Sequence, residues 1–198
     1  HMWAPDVYEG APTPETAFFA VAPKIAAFAL LARVLLQPFA DLIDQWRQII
    51  VFVSIASMAV GALAALRQTN IKRLLAYSSI GHAGFMLMGL AAGTSTGVQG
   101  MLIYLTVYLF TSAGAFACVL RMQRGGQYLE QVSDLAGLAK TQPYLAFALA
   151  AFMLSMAGIP PLAGFFGKFY VVMPAIEAGL APLAVIGLLT SVIACYYY

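Results

Sequence analysis

The chain has 198 residues, of which 62% are hydrophobic and only 9% charged, with a net charge of +2. Water-soluble domains carry about 25% charged residues, so a fold facing water on all sides is excluded and an integral membrane protein is indicated. The net charge is too small to suggest nucleic acid or an acidic partner, so no nucleic acid is expected, and two cysteines in separate apolar runs, Cys118 and Cys195, make neither a disulfide framework nor a metal set.

No basic, apolar, small-residue progression opens the chain, so no signal peptide is read there. The last residues sit inside an apolar run, and the chain is expected to be a fragment of a longer polytopic protein. A spanning helix needs about 20 mostly apolar residues. Six candidates meet this in chain order, at 16–37, 48–66, 74–92, 98–120, 143–173 and 180–198. The expected fold is an all-α polytopic membrane protein with about six transmembrane helices, one of them broken mid-membrane. The whole of 1–198 reads as a single transmembrane domain.

The first span carries Lys24 directly after Pro23, with apolar residues on both sides. A charge at the centre of a membrane helix costs about 2.5–3.5 kcal/mol on insertion scales. Losing the proton at pH 7 costs a lysine roughly 4.6 kcal/mol from its reference pKa. The two costs are similar, so modest help from neighbours lets such a lysine hold or release a proton. The competing reading is snorkelling of the stem to the headgroups. Pro23 is expected to loosen the helix beside Lys24.

The third span opens with Lys72 and Arg73 after Asn70, a suitable N-cap. Lys72 reads either as a positive-inside anchor or as a proton acceptor at a cytoplasmic entrance. Mid-span stands His82, with Ser78 and Ser79 one helical turn before it. Histidine is the natural relay near neutral pH, although a structural hydrogen bond to a neighbouring helix serves equally well. In the fourth span Tyr104, Tyr108, Thr111 and Ser112 form a polar stripe, able to hold water or to bond other helices. Gly61, Gly81, Gly84 and Gly114 read as close helix contacts. Cys118 and Cys195 read as small buried hydrophobes.

The fifth span is interrupted by Gly158-Ile-Pro-Pro-Leu-Ala-Gly164. Adjacent prolines flanked by glycines should split the helix, and broken helices at mid-membrane are a recurrent sign of an ion path. Lys168 follows at the start of the second half. Neither Lys24 nor Lys168 has an acidic partner in its own span; Glu177 lies beyond Lys168, toward the far surface.

Loops 1–15, 67–73 and 121–142 carry Arg67, Lys72, Arg73, Arg121, Arg124 and Lys140, whereas the opposite loops hold only Arg47. The positive-inside rule places the first set in the cytoplasm. No GxGxxG, P-loop, cysteine cluster or HExxH is present, so no flavin, nicotinamide or metal centre is expected in this chain. No nucleophile–base spacing suggests an intramembrane hydrolase.

Several runs carry a family resemblance. They are His1-Met-Trp-Ala-Pro-Asp-Val-Tyr-Glu-Gly-Ala-Pro-Thr-Pro14, Ala22-Pro-Lys-Ile-Ala26, Gln68-Thr-Asn-Ile-Lys-Arg-Leu-Leu-Ala-Tyr-Ser-Ser-Ile80, His82-Ala-Gly84 and Gly158-Ile-Pro-Pro-Leu-Ala-Gly-Phe-Phe-Gly-Lys-Phe-Tyr170. Together they resemble the antiporter-like subunits, of the subunit N type, in bacterial NADH–quinone oxidoreductase, respiratory complex I. The resemblance implies most of a second antiporter-like repeat, within the C-terminal half of a longer subunit. It matches Lys24 to the family's central-axis lysine and Lys168 to the lysine of its broken helix, on the proposed exit side. In subunit L the first position is often histidine, and in subunit M the second is usually glutamate, so two lysines point to subunit N. The family's upstream glutamate and lysine have no counterpart in this stretch. Glu15 and Gly81 depart from the usual pattern, which more often has an apolar residue and a serine there.

The resemblance further implies a proton-translocating, multi-pass subunit of the bacterial inner membrane. A charge change on a neighbour would alter the proton affinity of Lys24, and the proton would pass by water, His82 and the tyrosines to Lys168. NADH, FMN, iron–sulfur clusters and quinone are expected in other subunits. The partners implied are lipids and other membrane-arm subunits, including neighbouring antiporter-like ones. Alternatives are a subunit of a cation/proton antiporter or membrane-bound hydrogenase, and a structural subunit without its own proton path.

Overall fold

The computed structural model describes residues 3–124 and 127–198. His1 and Met2 of the opening motif, and residues 125–126 of the long connection, lie outside the described residues. The helices in chain order are α1 (Ala4–Gly10), α2 (Thr13–Leu36), α3 (Ile43–Ala65), α4 (Ile71–Ala91), α5 (Ser95–Arg121), α6 (Leu138–Thr141), α7 (Pro143–Ala157), α8 (Ala163–Glu177) and α9 (Ala181–Tyr197). Four of them, α2 to α5, are long and apolar enough to cross a membrane. The fifth predicted span is α7 and α8, two half-helices of 15 residues each.

Local chemistry explains the boundaries. Asn70 caps α4, its side chain accepting from the backbone N–H of Lys72 at 2.8 Å and of Arg73 at 3.2 Å. Thr94 caps α5 by accepting from Gly97 N–H at 3.1 Å. Arg47 of α3 donates to the carbonyls of Ala91 and Ala92, at 3.1 and 3.2 Å, and so satisfies the far end of α4. Helix α2 is continuous through Pro23.

Helix α4 is the hub. It packs most extensively on α3 and also touches α1, α2, α5, α8 and α9. Ser54 Oγ of α3 donates to the Gly84 carbonyl at 2.7 Å across the closest seam. Gly61 and Gly81 meet there as expected, since a side chain on Gly61 would run into the backbone of Gly81, whereas the place of a side chain on Gly81 itself is open. One apolar cluster surrounds the second half of α4, with Met86, Met88, Leu90, Met101 and Val171. A second surrounds its start, with Ile71, Leu75, Phe116, Val119 and Met156. The α4 residues between the two clusters are Tyr77 to His82, so the polar side chains of this helix form a layer with apolar packing above and below.

Large apolar side chains cover the outside: Phe52, Phe110 and Phe147 are each more than two-thirds exposed. Such a surface suits a bilayer, where apolar contact costs nothing. Cys118 is buried as expected, but Cys195 is exposed, because the apolar run that holds it faces outward there.

The long connection after α5 has structure of its own. Gln123–Arg124 pairs antiparallel with Gln127–Tyr128, and a 3-10 turn follows at Val132–Leu135. Two backbone hydrogen bonds fasten it to the start of α4: Ile71 N–H to Glu130 O and Val132 N–H to Thr69 O, both 2.7 Å.

Candidate functional site

By the helical rise, His82 lies about 16 Å along an α4 that is about 30 Å long. It therefore sits near the middle of the helix, inside the polar layer. Its ring is bonded on both sides: Nδ1 to the Tyr104 hydroxyl at 2.7 Å and Nε2 to the Tyr198 hydroxyl at 3.0 Å. In a neutral imidazole one nitrogen donates and the other accepts. A ring held at both nitrogens has the geometry to take a proton on one side and give one up on the other.

Lys24 approaches this layer from α2 and is half-buried. Its ammonium donates to Ser79 Oγ, to the Tyr108 hydroxyl at 2.9 Å and, more weakly, to the Tyr8 hydroxyl at 3.4 Å. It also lies 5.0 Å from the centroid of the Tyr108 ring and 5.8 Å from that of Tyr8. The stem is thus turned inward to three hydroxyls, not outward to the headgroups. Tyr108 lies beside His82, with ring centroids 5.1 Å apart. It therefore stands between the first lysine and the histidine.

Lys168 is buried in α8. Its Nζ donates to the carbonyl of Ala157 at 2.6 Å and lies 5.2 Å from the centroid of the Phe85 ring. Ala157 closes α7, so the ammonium faces the negative end of a half-helix. Glycines make this approach possible. Gly158 has φ +89°, and a side chain on it would meet Cδ of Lys168 at 2.9 Å and Nζ at 3.0 Å. Gly164 crosses directly over the Ser155 carbonyl, leaving no room for a Cβ, and its N–H donates to Ser155 Oγ at 3.1 Å.

Two small cavities meet at His82. One has about 10 Å³ of room for water centres and is walled by Tyr104, Tyr108, Thr111, Ser155 and Gly164. The other has about 20 Å³ and is walled by Ser78, Lys168, Thr190, Ser191 and Tyr198. About 10–15 Å³ by this measure suffices for one water. The order across the bundle is Lys24, Tyr108, His82, Lys168.

The structure thus brings together Lys24, His82, Lys168, Tyr104 and Tyr108. Ser78 and Ser79 part company: Ser79 binds Lys24, and Ser78 binds the Tyr198 hydroxyl. Thr111 turns back on its own helix, donating to Val107 O at 2.9 Å. Lys72 is apart from this group. It is buried in a salt bridge to Glu130 at 2.8 Å, donates to Ala11 O at 3.0 Å, and shares Glu130 with the hydroxyl of Thr13. A lysine so enclosed is tied to the connection after α5 and to the start of α2. Glu15 is exposed at the start of α2. Neither Lys24 nor Lys168 has a carboxylate partner among the described residues, and no cluster of metal-ligating side chains occurs there.

Tyr8, Tyr198 and Ser191 were not singled out by sequence, and Ser79 was noted only as a neighbour of His82. Tyr8 is fully enclosed on the short α1, outside the spans. Burial lifts its hydroxyl above the ordinary phenol range, against the opposing pull of the Lys24 ammonium. It therefore meets Lys24 as a neutral phenol at physiological pH.

The NADH:quinone oxidoreductase/Mrp antiporter transmembrane family model matches residues 1–194. The chain is 64% identical over its full length to NADH-quinone oxidoreductase subunit N of Paramagnetospirillum magneticum, and 63% identical to that of Rhodospirillum rubrum. It spans 41% of the length of each of these relatives. Among solved structures it is similar over its full length to a chain of respiratory complex I from Thermus thermophilus with bound aureothin, at 40% identity and a TM-score of 0.85, covering 43% of that chain. It is also similar over its full length to a chain of the Mrp complex from Dietzia sp., at 26% identity and a TM-score of 0.89, covering 36% of that chain.

Proposed function

The chain belongs to the NADH:quinone oxidoreductase/Mrp antiporter family, and on that premise we propose that it is part of a proton-translocating membrane-arm subunit of a bacterial NADH–quinone oxidoreductase. In this reading it sits in the inner membrane beside other membrane-arm subunits, with loops 67–73 and 121–142 on the cytoplasmic side. It carries no redox step. NADH, FMN, iron–sulfur clusters and quinone belong to partner subunits, whose electron transfer drives the proton.

The observation that carries the proposal is the continuity of titratable and hydroxyl groups from Lys24 through Tyr108 and His82 to Lys168. Lys24 is the central relay, loaded when charge nearby changes. A like charge makes a lysine easier to deprotonate and an opposite charge makes it harder. His82 passes the proton between its two bonded nitrogens. Lys168, at the break between α7 and α8, is the gate to the far side.

Lys24→Ala, His82→Ala and Lys168→Ala in the full-length protein, assembled in its complex, test this. Each should lower the proton-to-electron ratio and the coupled rate. Wild-type ratio and rate in both lysine variants would sink the assignment. The cation/proton antiporter reading draws on the likeness to the Mrp complex, but 26% identity there stands against 64% with subunit N. Retained stoichiometry with lost assembly would favour a purely structural subunit.

A further inference from the structure

The hydroxyl of Ser191, on α9, is buried and has no hydrogen-bonding partner among the described residues. Such orphaned groups are rare inside proteins and ask for an explanation. Ser191 lines the 20 Å³ cavity together with His82, Lys168, Ser78, Thr190 and Tyr198. Its neighbour Thr190 is satisfied, donating to Gly187 O at 2.8 Å. Lys168 has three N–H donors and one protein acceptor, the Ala157 carbonyl. The cavity therefore holds an unsatisfied hydroxyl and an ammonium with donors to spare. A buried water needs two to four polar partners and about 10–15 Å³, and both conditions are met.

We propose that Ser191 builds a single-water site, and that this water is the link by which a proton crosses from His82 to Lys168. This rests on the proton-relay reading above and adds a positioning residue to it. In the transfer, the His82 imidazolium gives its Nε2 proton to the Tyr198 oxygen while the Tyr198 hydroxyl proton moves to the water. The water passes one of its protons to the neutral Lys168 amine. Tyr198 and the water end with the protons they began with, and one charge has moved from His82 to Lys168. Ser191 itself neither gains nor loses a proton. It holds the water within reach of both neighbours.

The test uses the full-length protein in its assembled complex, with Ser191→Ala, the similarly sized weak donor Ser191→Cys, and Ser191→Thr, which keeps the hydroxyl. Ser191→Ala and Ser191→Cys should lower coupled proton transfer several-fold with assembly retained, and Ser191→Thr should restore most of it. The infrared difference band of a buried water, identified by its shift in ¹⁸O water, should vanish in the first two variants and persist in the third. A merely structural role would reduce assembly and leave that band in place, which overturns the proposal. Wild-type transfer with an unchanged band in Ser191→Ala and Ser191→Cys overturns it too. Lys168→Ala run in parallel separates the failures. If that variant is impaired while both serine variants transfer as wild type, only the water site is lost; if it also transfers as wild type, the relay reading falls.

Discussion

Lys168 donates to the carbonyl of Ala157 at 2.6 Å, so the ammonium of one half-helix satisfies the last turn of the other. The break is not only a gap in α7–α8; it is the acceptor that fixes the lysine.

Gly158→Ala should therefore act on Lys168 as well as on the backbone. The left-handed conformation at Gly158 costs an L-residue roughly 1–2 kcal/mol, and the new methyl meets the lysine side chain. The expected outcome is a lower unfolding temperature together with reduced pumping. Normal pumping in an assembled Gly158→Ala complex would show that the lysine does not need this seat.

Tyr108→Phe removes the 2.9 Å acceptor of Lys24 and keeps the ring beneath the ammonium. Coupled activity should fall several-fold. Because the two side chains act through one contact, Lys24→Ala combined with Tyr108→Phe should be little worse than Lys24→Ala alone. Fully additive losses in that cycle would separate Tyr108 from the lysine.

Lys72→Ala strands Glu130 against the starts of α2 and α4. Breaking a buried pair costs about 3–5 kcal/mol; Glu130 keeps 28% exposure, so about 1–3 kcal/mol is expected after solvent screening. Lys72→Met with Glu130→Gln should recover part of the loss. Thermal unfolding of the purified protein reads both, and an unchanged midpoint in Lys72→Ala would mean the pair holds nothing.

Tyr8 sets a limit at high pH. Its folded-state hydroxyl is raised above the ordinary value of about 10, so the unfolded chain loses that proton first. Its contribution to stability is complete below pH about 10 and falls as pH rises toward the folded value. The wild type should lose stability more steeply than Tyr8→Phe above pH about 10. Equal slopes for the two would rule out this contribution.

The membrane class, the helix break and the three titratable groups of the candidate site were legible because each is a local anomaly. A lysine, a histidine and a paired proline stand out in apolar runs. Their partners were not legible. Ser79 and Tyr108 stand out as polar positions, but they lie 55 and 84 residues from Lys24, and Tyr198 lies 116 from His82, so no local pattern pairs them. Serines 78 and 79 are adjacent, and only packing decides which of them meets Lys24. The misreading of Cys195 has the same origin. In a bilayer, the face toward lipid and the face toward protein are both apolar, so hydropathy reports depth and not direction.

Helix α1 is too short to enter the membrane, yet it has a grip on both worlds. At the surface, Asp6 and Glu9 pair with Arg73, at 3.3 and 2.7 Å. From between them in sequence, Tyr8 reaches inward and accepts from Lys24. Seven residues thus join an exposed charge cluster to a half-buried lysine of the bundle.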